Sequence, residues 1–293
     1  MPSSPASLIR KTWQNTKSVT LKIDTIQAIA PDYDVIVFDQ WGVLHDGTSP
    51  YVGAVAAVED LGVSAAVLSN SGKRSKPNEH RITNMGFSSA AFDLVMTSGE
   101  ALWRDISVGK ISAERFFAVQ GAPGDAAIWA DGLDIELVDN PANADAILLM
   151  GLPDGAVLKD WQGALKQWLA LGLPIYCSNP DRQSPRSNGL VISPGALAFA
   201  YKEIGGSVSF YGKPHLPIFR ALEDTIGAGR YLMVGDSMEH DIAGAHAAGW
   251  DGLLIQSGLY ATRFAGADEA MVLKDIASEK SCAPPKFTMD HLQ

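Results

Sequence analysis

The stretch Val35-Ile-Val-Phe-Asp39-Gln-Trp-Gly-Val-Leu44 decides how the rest of the chain reads. Four apolar residues run without a polar interruption and end on an aspartate. So short and continuous a run predicts a strand buried on both faces, as inside a parallel sheet. In such sheets ligands bind beyond the carboxyl ends of the strands. Asp39 therefore stands where chemistry is expected.

Segments of the same kind recur at 65–68, 94–97, 116–119, 146–150, 174–177, near 210, at 231–234 and at 252–255. Between them, 52–61, 158–171, 216–226 and 240–248 carry the apolar spacing of helices. Strand and helix alternating in this way predict an α/β protein with mainly parallel sheets.

Bulk composition narrows the function. With 293 residues, one or two domains are expected. Hydrophobic residues make up 46% and charged residues 19%, ordinary for a globular protein. A net charge of -10 argues against nucleic acid or an anionic membrane as partner, since both need clustered Lys and Arg. Cys177 and Cys282 give neither a disulfide framework nor a metal cluster. There is no apolar run of membrane-spanning length, and 1–11 lack the apolar core of a signal peptide. The expectation is a soluble, cytoplasmic protein, with a Ser/Pro-rich start at 2–7 and a polar tail after about 278.

The residues that follow the strands form a set: Asp39; Ser69-Asn70-Ser71-Gly72; Gly212-Lys213-Pro214; and Gly235-Asp236-Ser237, with Asp241 beyond. A helix cap explains any one of them, but together they share a chemistry. A carboxylate can attack phosphorus and split one hard hydrolysis into two easier steps. An incoming phosphate would be repelled by Asp39 and Asp236 unless a hard cation such as Mg²⁺ lay between them. Lys213 would neutralise charge, while the Ser69 hydroxyl and nearby N–H groups would hold the phosphoryl oxygens.

In this order the four segments resemble the motifs of the haloacid dehalogenase superfamily of phosphohydrolases, and in finer pattern its class IIA branch. That branch contains p-nitrophenylphosphatase- and phosphoglycolate phosphatase-like proteins. Asp46-Gly47, Val52-Gly53-Ala54, Ser178-Asn179-Pro180-Asp181, Pro194-Gly195-Ala196 and Asp241-Ile242-Ala243-Gly244 also match. The resemblance implies a doubly wound, Rossmann-like core over 1–105 and 207–293, and an inserted α/β cap over 106–206. An insertion agrees with the need to bring Asp39 and Asp236 together. The resemblance also implies Asp39, Lys213 and Ser69 as catalytic residues. Asn70, Ser71, Asp181 and Arg182 would bind substrate. Mg²⁺ would be held by Asp39, the Trp41 backbone carbonyl and Asp236, with Asp241 behind them. The substrate would be a small phosphorylated metabolite, and a homodimer could form through the cap.

One position departs from the family pattern. Two residues after the nucleophile the family carries a second aspartate that protonates the leaving oxygen and then activates water; here stands Trp41. Indole is a donor with no useful acid–base capacity. Three readings follow: a substitute group among His45, Asp46 and His215; a slow phosphatase or phosphotransferase; or a phospho-ligand-binding regulatory protein. The retained nucleophile, lysine and metal aspartate favour a hydrolase.

Other features read more plainly. Trp161 and Trp168 share a helical face with Leu165 and are expected in a core. Lys73-Arg74-Ser75-Lys76 fits either an anion-attracting patch or a solvated helix start. Gly121-Ala-Pro-Gly124 lacks the Lys and Ser/Thr of a nucleotide-binding loop and reads as a turn.

Overall fold

Val35–Phe38 lies in the interior of a seven-stranded parallel sheet, hydrogen-bonded to a strand on either side. The computed structural model describes residues 20–186 and 189–293. The Ser/Pro-rich start at 2–7 and the whole of 1–11 lie outside the described residues. Along the chain, β1 is Leu21–Lys22, β2 Val35–Phe38, β3 Ser64–Ser69 and β4 Leu94–Thr97. There follow β5 Arg115–Val119, β6 Glu136–Leu137, β7 Ala146–Leu149, β8 Ile175–Cys177, β9 Gln183–Arg186, β10 Gly189–Ile192 and β11 Val208–Phe210. The last three are β12 Tyr231–Gly235, β13 Asp251–Ile255 and β14 Phe287–Met289.

The core sheet runs β1-β14-β13-β12-β2-β3-β4, with every neighbouring pair parallel. Alternation along β2 explains its unbroken hydrophobicity. Ile36 and Phe38 pack on one face with Ala54, Val58 and Ile82, while Val35 and Val37 pack on the other with Leu102, Ile218 and Phe219. Helices Ala54–Glu59 and Ser75–Asn84 thus cover one face, and Ser98–Ser107 with Leu216–Ile226 the other. Full burial of each such side chain contributes about 1.5–3 kcal/mol, which pins the strand whose end carries Asp39.

Between β4 and β12 the chain builds a second, five-stranded parallel sheet, β11-β8-β7-β5-β6. Its Ile147 and Leu149 pack with Trp168 and Leu197, and Ala146 and Leu148 join the cluster shared with the core. Because β11 pairs with β8, the expected boundary at 206/207 falls too early; the second sheet holds the chain to Phe210.

Two further expectations change, and one element was not expected at all. The tail after 278 is not merely polar: β14 completes the core sheet, with Phe287, Met289 and Leu292 buried. Three residues between Lys286 and Asp290 are too few for an alternation to show. The hairpin of β9 and β10 was unmarked in the sequence, and its β10 strand lies mostly exposed. Finally, the 158–171 helix begins as a tight turn, Leu158–Trp161, before Gln162–Ala170. Trp168 is buried and Trp161 packs 6.2 Å from it, as expected of a core pair. Among the described residues no helix is long and apolar enough to cross a membrane.

Candidate active site

Phe38 pairs with Val67 on one side and Val234 on the other, so the ends of β2, β3 and β12 stand side by side. The Asp39 N–H continues the ladder, donating to the Val234 carbonyl at 2.9 Å. Lys213 enters just after β11, nearly fully buried, and its ammonium lies 2.7 Å from Asp39 Oδ1 and 2.7 Å from Asp241 Oδ1. Gln40 N–H also donates to Asp39 Oδ1, at 2.7 Å. Both oxygens of Asp241 are engaged, since Oδ2 accepts from Ser237 N–H at 3.0 Å. Asp241 therefore works on the lysine.

Asp236 completes the group. Ligand atoms of Asp39, Asp236 and Asp241 all lie within 4.8 Å of one another. Asp236 Oδ2 accepts from Leu259 N–H at 2.9 Å. Its carboxylate rests against Gly42, where a Cβ would come within 1.9 Å of Oδ2 and where φ of +85° already favours glycine. Three carboxylates thus face one ammonium. Burial pushes Asp39 above the usual carboxylate range, against the pull of Lys213. Burial and then the charges of Asp39 and Asp241 push Asp236 up as well. Burial alone would lower Lys213, but Asp241 and Asp39 outweigh it and hold the ammonium above the ordinary lysine range. The donor set is all oxygen, clustered and under-neutralised, and fits a hard divalent cation.

Around this centre, Ser69 ends β3 nearly buried and its Oγ accepts from Ser71 N–H at 3.4 Å. The Ser71 hydroxyl accepts from Lys73 N–H and Asn78 Nδ2, both at 3.3 Å, so it is turned toward the start of the following helix. Asn70 is occupied by protein: its Oδ1 accepts from Lys213 N–H at 2.7 Å, and its Nδ2 donates to Lys213 O and Asp181 Oδ1. Asp181 thereby reaches the site from the second sheet. Arg182 lies flat over Phe199 at 3.9 Å, exposed on its own domain. In the basic run, Arg74 binds Glu100 through two hydrogen bonds at the start of a helix.

The indole of Trp41 is 48% exposed and packs on Gly47, with His45 edge-on at 6.3 Å. The candidates to replace an acid–base group there are otherwise engaged. Asp46 Oδ1 accepts from Thr48 and Ser49 N–H, an ordinary turn. His215 stacks on Phe210 at 4.6 Å. His45 is fully buried, and its Nδ1 accepts from Gly47 N–H at 3.0 Å.

His45 gives a pH dependence instead. Burial lowers it from 6.5 to about 4. The unfolded chain therefore binds the extra proton between those values, so stability falls as pH drops below 6.5 and the loss is complete near pH 4. The expected loss is roughly 3 kcal/mol. It should appear as a smaller difference in urea midpoint between pH 7 and pH 4.5 in His45→Gln than in the unsubstituted protein.

Gly42 and the Gly258-Leu259 loop, which seat Asp236, were not singled out from sequence. The rule that drew attention to other strand ends would have found the second, since it closely follows β13. Asn70's role had no signal, because its partners are 111 and 143 residues away.

Known proteins resemble this chain in sequence and fold. A D-glycerol 3-phosphate phosphatase of Mycobacterium tuberculosis is 25% identical over 255 residues, covering 80% of this chain and 66% of that protein. The chain spans 66% or less of the length of the curated relatives it matches. A haloacid dehalogenase-like hydrolase from Brucella suis superposes with a TM-score of 0.75 at 29% identity, covering 92% of this chain and 100% of that one. A glycerol phosphate phosphatase from Mycobacterium tuberculosis in complex with magnesium shares the fold, with a TM-score of 0.64, 23% identity, and coverage of 79% and 70%. The sequence profile described as haloacid dehalogenase-like hydrolase matches residues 33–249, a run that takes in Asp39, Ser69, Lys213, Asp236 and Asp241 together, and the chain belongs to that family.

Proposed function

We propose that this protein is a Mg²⁺-dependent phosphatase acting on a small phosphate monoester through an aspartyl-phosphate on Asp39. The observation that carries the reading is the Lys213 ammonium held at 2.7 Å from both Asp39 and Asp241, with Asp236 in the same carboxylate cluster. The phosphatase relative and the magnesium-bound fold neighbour support it. Sugar phosphates, phosphoglycolate and nucleotides are all within reach of this chemistry.

Asp39 Oδ1 already takes Lys213 and Gln40 N–H, so Oδ2 is the oxygen left for attack on phosphorus. The bond from phosphorus to the leaving oxygen breaks as the Asp39 Oδ2–phosphorus bond forms, the leaving group taking its proton from solvent. Water later attacks phosphorus to release inorganic phosphate and return the carboxylate. Lys213 screens Asp39 from the approaching anion, Asp241 holds Lys213, and Ser69 lies at the adjacent strand end to meet a phosphoryl oxygen. Asp39, Asp236 and the Trp41 carbonyl would hold Mg²⁺, which when bound neutralises charge on the phosphoryl oxygens.

Trp41 favours one variant of this reading, a slow enzyme whose aspartyl-phosphate persists. The test is to incubate the protein with p-nitrophenyl phosphate in Mg²⁺ and in EDTA. Turnover is expected in Mg²⁺, with a loss in EDTA of roughly 10³-fold or more. Binding of phosphate esters with neither turnover nor phosphoenzyme would replace the enzyme reading with a ligand-binding one.

A further inference from the structure

Among the described residues Lys213 is the cation paired with the carboxylate cluster, and its place depends on a hydrogen-bonded path that begins in the other domain. Asn70 holds both backbone polar groups of Lys213: Oδ1 accepts its N–H at 2.7 Å, and Nδ2 donates to its carbonyl at 3.1 Å. The second Nδ2 hydrogen goes to Asp181 Oδ1 at 2.8 Å. A side-chain amide offers two donors and one oxygen, so Asn70 commits both donors and its oxygen to these three contacts. A carboxylate can only accept, so Asp181 holds the amide with its nitrogen toward the second domain and its oxygen toward the lysine.

Asp181 is itself well held. Its N–H donates to Asn179 Oδ1 at 3.0 Å, and its carbonyl accepts from Gly195 N–H at 3.1 Å. Beside it the Pro180 ring presses on Gly212, where a Cβ would come within 2.4 Å of Pro180 Cδ. Only a residue without a side chain lets the two loops approach this closely. His240 Nδ1 stands 3.8 Å from the same Asp181 oxygen, longer than a direct hydrogen bond.

We propose that Asp181 is a positioning residue for Lys213, acting through Asn70, so that docking of the second domain sets the ammonium against Asp39. This rests on the phosphatase reading above. It differs from the role that resemblance implies for Asp181, direct contact with substrate, in a way that can be measured. A positioning residue acts on kcat, and needs an acceptor atom more than a charge.

The full-length protein with Asp181→Ala and with Asp181→Asn tests this, using p-nitrophenyl phosphate with Mg²⁺ and circular dichroism to verify folding. Asp181→Ala is expected to lower kcat roughly 10- to 100-fold with KM changed less than about threefold, the scale of a sub-ångström misplacement. Asp181→Asn keeps an acceptor for Asn70 and should recover about tenfold of that loss. Independently of turnover, the buried Lys213 ammonium should give a slowly exchanging ¹⁵N–¹H signal in the unsubstituted protein and in Asp181→Asn, and broaden in Asp181→Ala. The proposal is overturned if Asn and Ala are equally impaired, if Ala raises KM and spares kcat, or if the ammonium signal is the same in all three. Absence of turnover in the unsubstituted protein would sink the phosphatase reading, while the ammonium signal would still decide the role of Asp181.

Discussion

Asp39→Asn is expected to abolish turnover, with kcat reduced roughly 10⁴-fold or more. An amide oxygen is a poor nucleophile and cannot form the acyl phosphate. The substitution is nearly isosteric, and an Asn oxygen can still accept from Lys213 and from Gln40 N–H, contacts that Asp39 Oδ1 makes at 2.7 Å each. The fold should therefore survive. Rapid quench followed by intact mass spectrometry is the decisive measurement. The unsubstituted protein should gain the mass of one phosphoryl group from p-nitrophenyl phosphate, and Asp39→Asn should gain none. A phosphoryl adduct on the Asn variant would move the nucleophile elsewhere.

Trp41→Asp has the second large effect, in the opposite direction and dependent on the substrate. A positioned acid–base group contributes about 10²–10⁴-fold. Its absence costs most when the leaving group is an alkoxide that needs a proton, and least when it is a stabilised phenolate. Introducing a carboxyl at 41 should raise kcat for an alkyl phosphate by roughly 10²-fold or more, and for p-nitrophenyl phosphate by less than about tenfold. The substitution is sterically mild, since the Trp41 indole is 48% exposed and rests on Gly47 and edge-on to His45. Equal gains on both substrates would mean that removing the indole, not adding a proton donor, opened the site. No gain on either would mean that another group already serves.

Between them the two variants separate the halves of the reaction. Under the proposed mechanism, Asp39 would govern formation of the aspartyl-phosphate, and position 41 leaving-group protonation and hydrolysis. His45, Asp46 and His215 are each held by other contacts, so under the proposed mechanism the second half is expected to be the slow one.

Much of this was legible in the linear chain. The continuous apolar runs at β2, β3 and β12 announced strands buried on both faces, because nothing polar could be tolerated on either side. From that the polar residues at their ends followed, and Asp39, Ser69 and Asp236 fell into place with Lys213. Elements with less pattern did not show. β14 has three residues, and β10 lies mostly exposed with no alternation to mark it. The junction after β11 was misplaced by a few residues because strand identity does not say which sheet a strand joins.

The site divides along the same line. Residue types and their order were enough to propose a nucleophile, a cation and a metal carboxylate, since that chemistry depends on functional groups that each residue carries with it. Their arrangement came only from the tertiary structure. Which oxygen of Asp39 the lysine takes, the use of Asp241 to hold that lysine, the seat of Asp236 on Gly42, and the path from Asp181 through Asn70 all join residues distant in the chain. A hydrogen bond needs its partners about 3 Å apart and aligned. No local periodicity encodes that distance, and packing two sheets together does.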